Sequence, residues 1–329
     1  MEIMNFVHIV FIFIITASIS FLGTKLLLGF LRDKKIFDTP NERSSHRKPI
    51  PKGGGIVVVG AVLIAFVVIF NSRDDTYLPL IIATLFLALI SWIDDLKDLP
   101  AGLRLTAQFI SSTFVLLMMS PSEPYFHGII PTWFELIIIA FIWVWFINVF
   151  NFMDGIDGIT AVETISIGSG LFLIILISGG RSEIGLSGLV LAASALGFIW
   201  WNWSPSQLFL GDVGSIPLGF IIGWLLLQIL PTPLWPISII IPLYYLSDAT
   251  ITLIIRCLNK ERFWLPHRQH YYQLATNRGL SHAHVSLTIL ILNMCLLGWA
   301  YFSLIFPLIS ILCASLNVVL ILFYFRGVK

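Results

Sequence analysis

The stretch NVFNFMDGIDG, residues 148–158, decides how the rest of the chain is interpreted. It directly follows the apolar run 137–147, which is apolar enough to lie in lipid. It carries two carboxamides, Asn148 and Asn151, and two carboxylates, Asp154 and Asp157. Carboxylates near a bilayer cost free energy, so they usually mark a functional site. The alternative is a polar loop between two spans, which requires no such density of Asn, Asp and Gly.

The spacing of three residues predicts that these four side chains lie on successive turns at a helix end. Gly155 and Gly158 are typical of a helix that stops and lets another group approach the backbone. A calcium-binding loop is excluded, because DGIDG lacks the spaced third acid and the closing Glu of that motif.

The composition indicates a membrane protein. Of the 329 residues, 57% are hydrophobic and only 11% are charged, and the mean hydropathy is +0.93. Soluble domains carry about 25% charged residues. Because lipid offers no partners to backbone polar groups, we predict an all-α, polytopic integral membrane protein that forms a single domain over residues 1–329.

Apolar runs of nearly twenty residues predict about eleven membrane spans. The run 55–70 is short for a span, and the last two runs are so close that ten spans are also consistent with the sequence. The predicted spans are 4–30, 55–70, 78–93, 105–119, 133–150, 161–178, 186–202, 214–230, 235–255, 285–303 and 307–325.

Basic residues are concentrated in alternate loops and in the C-terminal tail. The positive-inside rule therefore predicts a periplasmic N-terminus and a cytoplasmic C-terminus. Nearly all the polar motifs fall on the same predicted cytoplasmic ends. We therefore expect an active site at the cytoplasmic face, whereas a pore or carrier would spread polar residues along the membrane depth.

The motif IDDLKDL follows the third predicted span. Asp94 and Asp98 are expected to share a helix face, with Asp95 adjacent. Neighbouring carboxylates repel each other unless a cation or a proton relieves them, and hard oxygen ligands suit Mg²⁺. The alternative is a solvated helix start with Lys97 as a local partner.

The motif WNWSPSQLFLGDVGS, residues 201–215, contains a single acid, Asp212, between two glycines. Glycines and a helix start favour an anion, and Asp212 could hold a cation that bridges to phosphate. Phe209 or a nearby aromatic residue could stack on a base. The alternative is a capped helix, with Asp212 or Ser215 as the N-cap.

The loop RFWLPHRQHYYQLA, residues 262–275, carries His267, Arg268 and His270. No further Cys or His lies close enough to complete a zinc site, so phosphate binding by Arg and charged His is the simpler interpretation. A positive-inside anchor would explain the arginines and not the histidines. We assign no role to His282 and His284.

Two further features leave alternatives open. The basic, Pro- and Gly-rich loop 38–55 could cradle phosphates or could simply fix the topology. Asp248 is a lone acid inside the ninth predicted span, where it either pairs with a polar neighbour for structure or supports the site.

In this order, the motifs resemble those of the polyprenyl-phosphate N-acetylhexosamine-1-phosphate transferases (glycosyltransferase family 4). This family includes phospho-MurNAc-pentapeptide translocase and the enzymes that start O-antigen and enterobacterial common antigen. The peptidoglycan branch shows adjacent histidines where this chain has HRQH, so the chain looks more like the O-antigen branch. The matching residues are 40–46 (PNERSSH), 53–55 (GGG), Asp94, Asp95, Asp98, 148–158, 209–215 (FLGDVGS), and His267 with His270.

The resemblance implies a reaction at the bacterial inner membrane. A UDP-N-acetylhexosamine would give its sugar-1-phosphate to undecaprenyl phosphate, with release of UMP and with Mg²⁺ or Mn²⁺ as cofactor. The sugar could be GlcNAc, GalNAc or a 6-deoxy-HexNAc, the last being favoured by the loop. The route could be direct or through a covalent intermediate, and a homodimer is open because related enzymes form dimers.

The resemblance also implies residue roles. Asp94 or Asp95 would deprotonate or orient the lipid phosphate, with Asp157 as a further catalytic acid. The metal would be held by Asp212 and by Asp154 or Asp157. The nucleotide, the phosphate and the sugar would be bound by Asn148, Asn151, Asp154, Phe209, His267, Arg268 and His270.

Two other functions are weighed against this one. A CDP-alcohol phosphatidyltransferase should show DGxxAR followed by GxxxDxxxD, but Asp154 and Gly155 are followed by Ile156, Asp157 and Gly158, with no Arg. A cation-coupled transporter would explain intramembrane acids, and it predicts flux across liposomes without UMP release. We expect a lipid bilayer as partner and no nucleic acid.

Overall fold

The computed structural model describes residues 6–40, 48–70, 77–119, 124–126, 128–262 and 267–327. These residues form thirteen helices and one two-stranded antiparallel sheet, which confirms the all-α class. The strands are β1 (Phe37–Asp38) and β2 (Ile50–Pro51). The helices are α1 (Phe6–Asp33), α2 (Gly55–Phe70), α3 (Tyr77–Lys97), α4 (Ala101–Met118), α5 (Thr132–Phe152), α6 (Ile159–Ser178), α7 (Ser182–Asn202), α8 (Asp212–Ile229), α9 (Trp235–Ile240), α10 (Leu243–Leu258), α11 (Tyr271–Asn277), α12 (His282–Phe302) and α13 (Pro307–Arg326).

The predicted spans are present, with one difference. Within the described ranges, nine helices are long and apolar enough to cross a membrane, and α2 is a shorter apolar helix of 16 residues. The ninth predicted span is not continuous, because α9 ends at Ile240 and α10 begins at Leu243. Pro242 lies in this break and has no N–H to continue the helix. The last two predicted spans are separate helices, α12 and α13.

Three helices form the centre of the bundle. Of the residues of α8, 89% are buried, compared with 11% of an apolar 18-residue stretch of α1. The corresponding stretches of α6 and α7 are also mostly buried. Helices that are apolar all round belong in such a centre, whereas α1 and α13 present their exposed apolar side chains to lipid.

A short arm of the basic loop packs against the start of α8. Lys52 forms a parallel bridge with Phe209, and the Gly53 and Gly54 N–H groups donate to the Phe209 carbonyl at 3.1 and 2.9 Å. The Gly55 N–H donates to the Leu210 carbonyl at 2.8 Å. The described part of this loop is therefore a structural element, while residues 41–47, which carry most of its matching motif, lie outside the described residues.

A substitution at Gly55 tests the close packing of this arm on the start of α8. A methyl group at Gly55 would overlap the backbone of Gly214, so Gly55→Ala should force the starts of α2 and α8 apart. We expect a loss of about 1–3 kcal/mol in the free energy of unfolding, measured by thermal unfolding in detergent.

Gly60→Ala is the matched control on the same helix, because no atom lies within 4 Å of the added carbon. It should be neutral or slightly stabilising, since Ala is the better helix former. Equal effects of the two substitutions would contradict the close packing of α2 on α8.

Candidate active site at the helix ends

The start of α8 is held by a carboxylate from another helix. Asp95, near the end of α3, accepts the Asp212 N–H at 3.1 Å and the Val213 N–H at 3.0 Å. Its side chain is only 2% exposed, and Lys52 Nζ lies 2.7 Å from Oδ1. Gly211 has φ +78°, and a Cβ there would lie 2.7 Å from Asp95 Oδ2. The negative charge at the start of α8 is therefore the Asp95 carboxylate. The N-cap is Gly211, so neither Asp212 nor Ser215 has that role.

Arg104 links two further acids of the predicted site. Its Nη1 lies 2.9 Å from Asp94 Oδ2 and 3.5 Å from Asp212 Oδ2. Asp94 also accepts the Leu99 N–H at 2.7 Å. The structure therefore brings Asp94, Asp95 and Asp212 together, although Asp95 and Asp212 are 117 residues apart.

Asp98 does not join this group in the way that was expected. Helix α3 ends at Lys97, and Asp98 has φ +50° and an exposed side chain. The prediction that Asp94 and Asp98 share a helix face is therefore wrong, because the helix stops before the second acid.

Two cations of the cluster were not singled out as site residues from the sequence. Burial lowers the pKa of the Lys52 ammonium, but the Asp212 and Asp95 carboxylates outweigh it and raise the pKa above its ordinary value. In the sequence, Lys52 is one of several basic residues of the loop 38–55, and Arg104 is one of the basic residues that predict the topology. Their partners lie far away along the chain, so no local pattern distinguishes them from anchoring charges.

The stretch 148–158, called the central stretch from here on, is divided between a helix and a loop. Helix α5 ends at Phe152 and α6 begins at Ile159, so Asp154 and Asp157 lie in the connection and not on helix turns. This corrects the expected helical placement. Gly158, with φ +78°, precedes α6 and provides the change of direction.

The carboxamides of this stretch bridge helices. Asn148 Nδ2 donates to Gln108 Oε1 at 2.6 Å and to the Val144 carbonyl at 2.8 Å. Asn151 Nδ2 donates to Ser215 Oγ at 3.2 Å. Their amide nitrogens therefore tie α5 to α4 and to α8, and their predicted binding role stays a prediction.

Asp154 lies within the electrostatic reach of the acid and cation cluster. It accepts the Thr160 hydroxyl at 2.6 Å. Burial raises its pKa to about 6, while Thr160 and Lys52 favour the charged form and Asp95 opposes it. A carboxylate that is costly to ionise, and that neighbours a charged cluster, is typical of a functional site.

Asp157 has different partners. Its Oδ2 lies 3.2 Å from His282 Nδ1 and accepts the Ser206 N–H at 3.3 Å. Its carbonyl accepts the Ser286 hydroxyl at 2.8 Å. His282, to which we assign no role from the sequence, is therefore a contact of a predicted catalytic acid, and only the fold brings the two together.

The HRQH loop, residues 267–270, packs against the end of α5. The His267 and His270 rings stack at 4.7 Å, and the His270 and Phe152 ring centroids are 6.3 Å apart. Burial, with His270 and Arg256 adding to it, lowers the pKa of His267 to about 4. A pKa this low favours the neutral form of His267 near pH 7, whereas phosphate binding was expected to involve charged histidines; the binding role of His267, Arg268 and His270 stays a prediction.

The described side chains of the site do not form a complete set of metal ligands by themselves. Across the described ranges, no group of three or more His, Cys, Asp or Glu side chains could hold a metal ion. Lys52 and Arg104 instead offset part of the negative charge of Asp94, Asp95 and Asp212. The Phe209 side chain is partly exposed next to Lys52, and its stacking on a base stays a prediction.

These contacts define a polytopic membrane protein with a charged site at one end of its helical bundle. Residues 77–230 match the family described as "Glycosyl transferase family 4". This segment contains Asp94, Asp95, the central stretch and Asp212.

The chain is 30% identical over 255 residues to a probable undecaprenyl-phosphate N-acetylglucosaminyl 1-phosphate transferase of Bacillus subtilis, with 74% of this chain and 71% of the relative covered. It is 24% identical over 302 residues to a phospho-N-acetylmuramoyl-pentapeptide-transferase of Lacticaseibacillus paracasei, covering 82% and 90%. It is 30% identical over 210 residues to an undecaprenyl-phosphate alpha-N-acetylglucosaminyl 1-phosphate transferase of Thermotoga maritima, covering 62% and 60%. The chain belongs to glycosyl transferase family 4.

Asp95 and Asp212 should differ in their effect on stability. Asp95→Asn places an amide against two N–H groups and leaves Lys52 without its partner, so we expect a loss of about 2 kcal/mol in the free energy of unfolding. Asp212→Asn should change the thermal midpoint less, because its contact with Arg104 is long, at 3.5 Å, and its side chain is 24% exposed. If the order is reversed, Asp95 does not hold α8.

The charged form of the Asp154 carboxylate should destabilise the folded protein. Its folded-state pKa of about 6 lies above the ordinary 3.8, so the folded state loses stability as the pH rises through this interval. We expect Asp154→Asn to raise the thermal midpoint near neutral pH, with a difference that vanishes below the ordinary pKa. A variant that is less stable than the wild type at neutral pH would contradict this assignment.

Proposed function

We propose that the protein transfers a HexNAc-1-phosphate from a UDP-sugar to undecaprenyl phosphate, releasing UMP. The product would be a polyprenyl-diphosphate sugar that starts an O-antigen or another cell-envelope polysaccharide. The observation that carries the proposal is the grouping of Asp94, Asp95 and Asp212 with Lys52 and Arg104 at one end of the bundle. The names of the relatives support the same class of reaction.

Both reactants are phosphorylated, so the chemistry mainly needs positioning and charge neutralisation. An oxygen of the lipid phosphate would attack the phosphorus that bears the sugar. The bond from that phosphorus to the UMP oxygen would break, and UMP would leave with the electron pair. Lys52, Arg104 and Arg268 would supply the neutralising positive charge.

The acids of the site would have different roles in the reaction. Asp95 has both oxygens occupied by the α8 backbone and Lys52, so we assign it to positioning Asp212. Asp94 would orient the lipid phosphate or accept its proton, next to Arg104, which contacts both Asp94 and Asp212. Asp157 would hold His282 next to the connection between α5 and α6.

The residues fit Mg²⁺ or Mn²⁺ in one particular way. Mg²⁺ in such sites takes one or two carboxylates together with substrate phosphate oxygens, so a three-residue cage is not required. Asp212 is the most open of the clustered acids, with 24% of its side chain exposed, and Asp154 is the second candidate ligand. The bound ion would supply charge neutralisation for the diphosphate.

The remaining residues would bind the donor. Phe209 would stack on the uracil, and Asn148 and Asn151 would contribute their amide oxygens. His267, Arg268 and His270 would contact the phosphate or the sugar, with a 6-deoxy-HexNAc favoured. We place this site at the cytoplasmic face of the bacterial inner membrane, with the N-terminus periplasmic and the C-terminus cytoplasmic, in a single domain that could form a homodimer.

The proposal is tested by incubating membranes that contain the protein with undecaprenyl phosphate and a panel of UDP-sugars, and by measuring UMP. We expect release with one HexNAc donor, dependence on the lipid phosphate, and loss of activity in excess EDTA. Asp94→Asn and Asp212→Asn should each lower the rate by about 10²-fold or more, because they remove charge contacts of the transferring group.

Asp98→Asn is the matched control from the same motif as Asp94. Its side chain is exposed, and Asn tolerates the positive φ at this position, so near-normal rates are expected. Absence of UMP release with every donor, or transport of a UDP-sugar across liposomes without UMP release, would overturn the proposed function.

A further inference from the structure

A second buried carboxylate repeats the arrangement seen at Asp95. Asp248 in α10 is completely buried. Its Oδ1 accepts the Tyr271 N–H at 2.8 Å, and its Oδ2 accepts the Tyr272 N–H at 3.1 Å and the Tyr244 hydroxyl at 3.0 Å. Thr252 Oγ1 lies 3.5 Å from Oδ1.

These bonds fix the point at which the HRQH loop ends. Tyr271 and Tyr272 are the first two residues of α11, and the first N–H groups of a helix have no partner within it. His270 directly precedes them, and its Nδ1 lies 3.5 Å from Asp248 Oδ1. Through the Tyr271 and Tyr272 N–H groups, a carboxylate that belongs to another helix therefore fixes the backbone directly after His270.

The same contacts reach the central stretch. The Tyr272 hydroxyl donates to the Phe152 carbonyl at 3.0 Å, at the last residue of α5. Gly155 packs so closely on this hydroxyl that a Cβ could not fit between them. Asp248 thus connects the HRQH loop to the connection that carries Asp154.

We propose that Asp248 is a positioning residue of the transfer reaction. It fixes the HRQH loop, and the contacts of His270 and Arg268 with the UDP-sugar, against the end of α5. This inference rests on the proposed function. Asp248 itself contacts neither substrate, because its side chain is enclosed by protein on all sides.

Asp248→Asn is the direct test in the full-length protein. Asn keeps one acceptor oxygen, but its NH₂ group faces a backbone N–H, so one of the two helix-start bonds is lost. We expect the KM for the UDP-sugar to rise by about tenfold or more, as a displaced binding loop requires. The KM for the lipid phosphate should change by no more than about twofold, because only donor contacts are lost.

A second measurement is independent of activity. Hydrogen exchange, followed by mass spectrometry, should become faster in the peptide that spans 267–277 of Asp248→Asn. Exchange at the start of α8, which Asp95 holds, should stay unchanged. Combining Asp248→Asn with His270→Ala should raise the donor KM little beyond His270→Ala alone, because both changes act on one set of contacts.

Two further variants keep the test decisive if Asp248→Asn folds poorly. Tyr272→Phe removes the bond to Phe152 and leaves the carboxylate contacts intact, so a smaller rise in the donor KM is expected. Thr252→Val is the control, since it removes only the 3.5 Å contact, and it should match the wild type in KM and exchange.

Unchanged donor KM and unchanged exchange in both Asp248→Asn and Tyr272→Phe would overturn the inference. Equal rises in the KM for both substrates, or faster exchange throughout the protein, would also overturn it, because they indicate a general structural role. A wild-type protein without UMP release would refute the proposed function, and the exchange result would still decide whether Asp248 fixes the loop.

Discussion

The carboxylate of Asp95 is the interaction on which the site depends. It joins the end of α3, the start of α8 and the Lys52 arm through three contacts of 2.7 to 3.1 Å. A buried charge is tolerated only when its partners are all present, so the three segments must assemble together. Asp212 is the first residue of α8, and its position relative to Asp94 follows from this assembly.

The bundle uses the same physical solution at two helix starts. Asp95 accepts the first N–H groups of α8, and Asp248 accepts those of α11. In both cases an acid from one helix fixes a segment that comes directly before or after the proposed substrate contacts. Fixed dipoles and charges of this kind hold a site in its working geometry before the reactants arrive. Asp154 lowers the stability of the fold near neutral pH, because burial raises its pKa to about 6 and opposes its ionisation.

Much of the fold follows from the sequence because lipid selects long apolar runs, and the alternation of the spans predicts that the polar motifs lie at one end of the bundle. This logic correctly groups Asp94, Asp95 and Asp212. It fails where local geometry decides: Pro242 divides one run into α9 and α10, and α5 ends before Asp154. It also misses Arg104 and His282, because His282 and Asp157 are 125 residues apart and no pattern joins them.

The central claim is that Asp95 works by binding Lys52 and the start of α8, and a double-mutant cycle tests it most directly. Lys52→Met, Asp95→Asn and the double variant would be compared by their free energies of unfolding in detergent. The account predicts a coupling energy of about 1 kcal/mol or more, as expected for contacting residues in one charged network. Additivity within about 0.3 kcal/mol would show that the two residues act independently and would contradict the account.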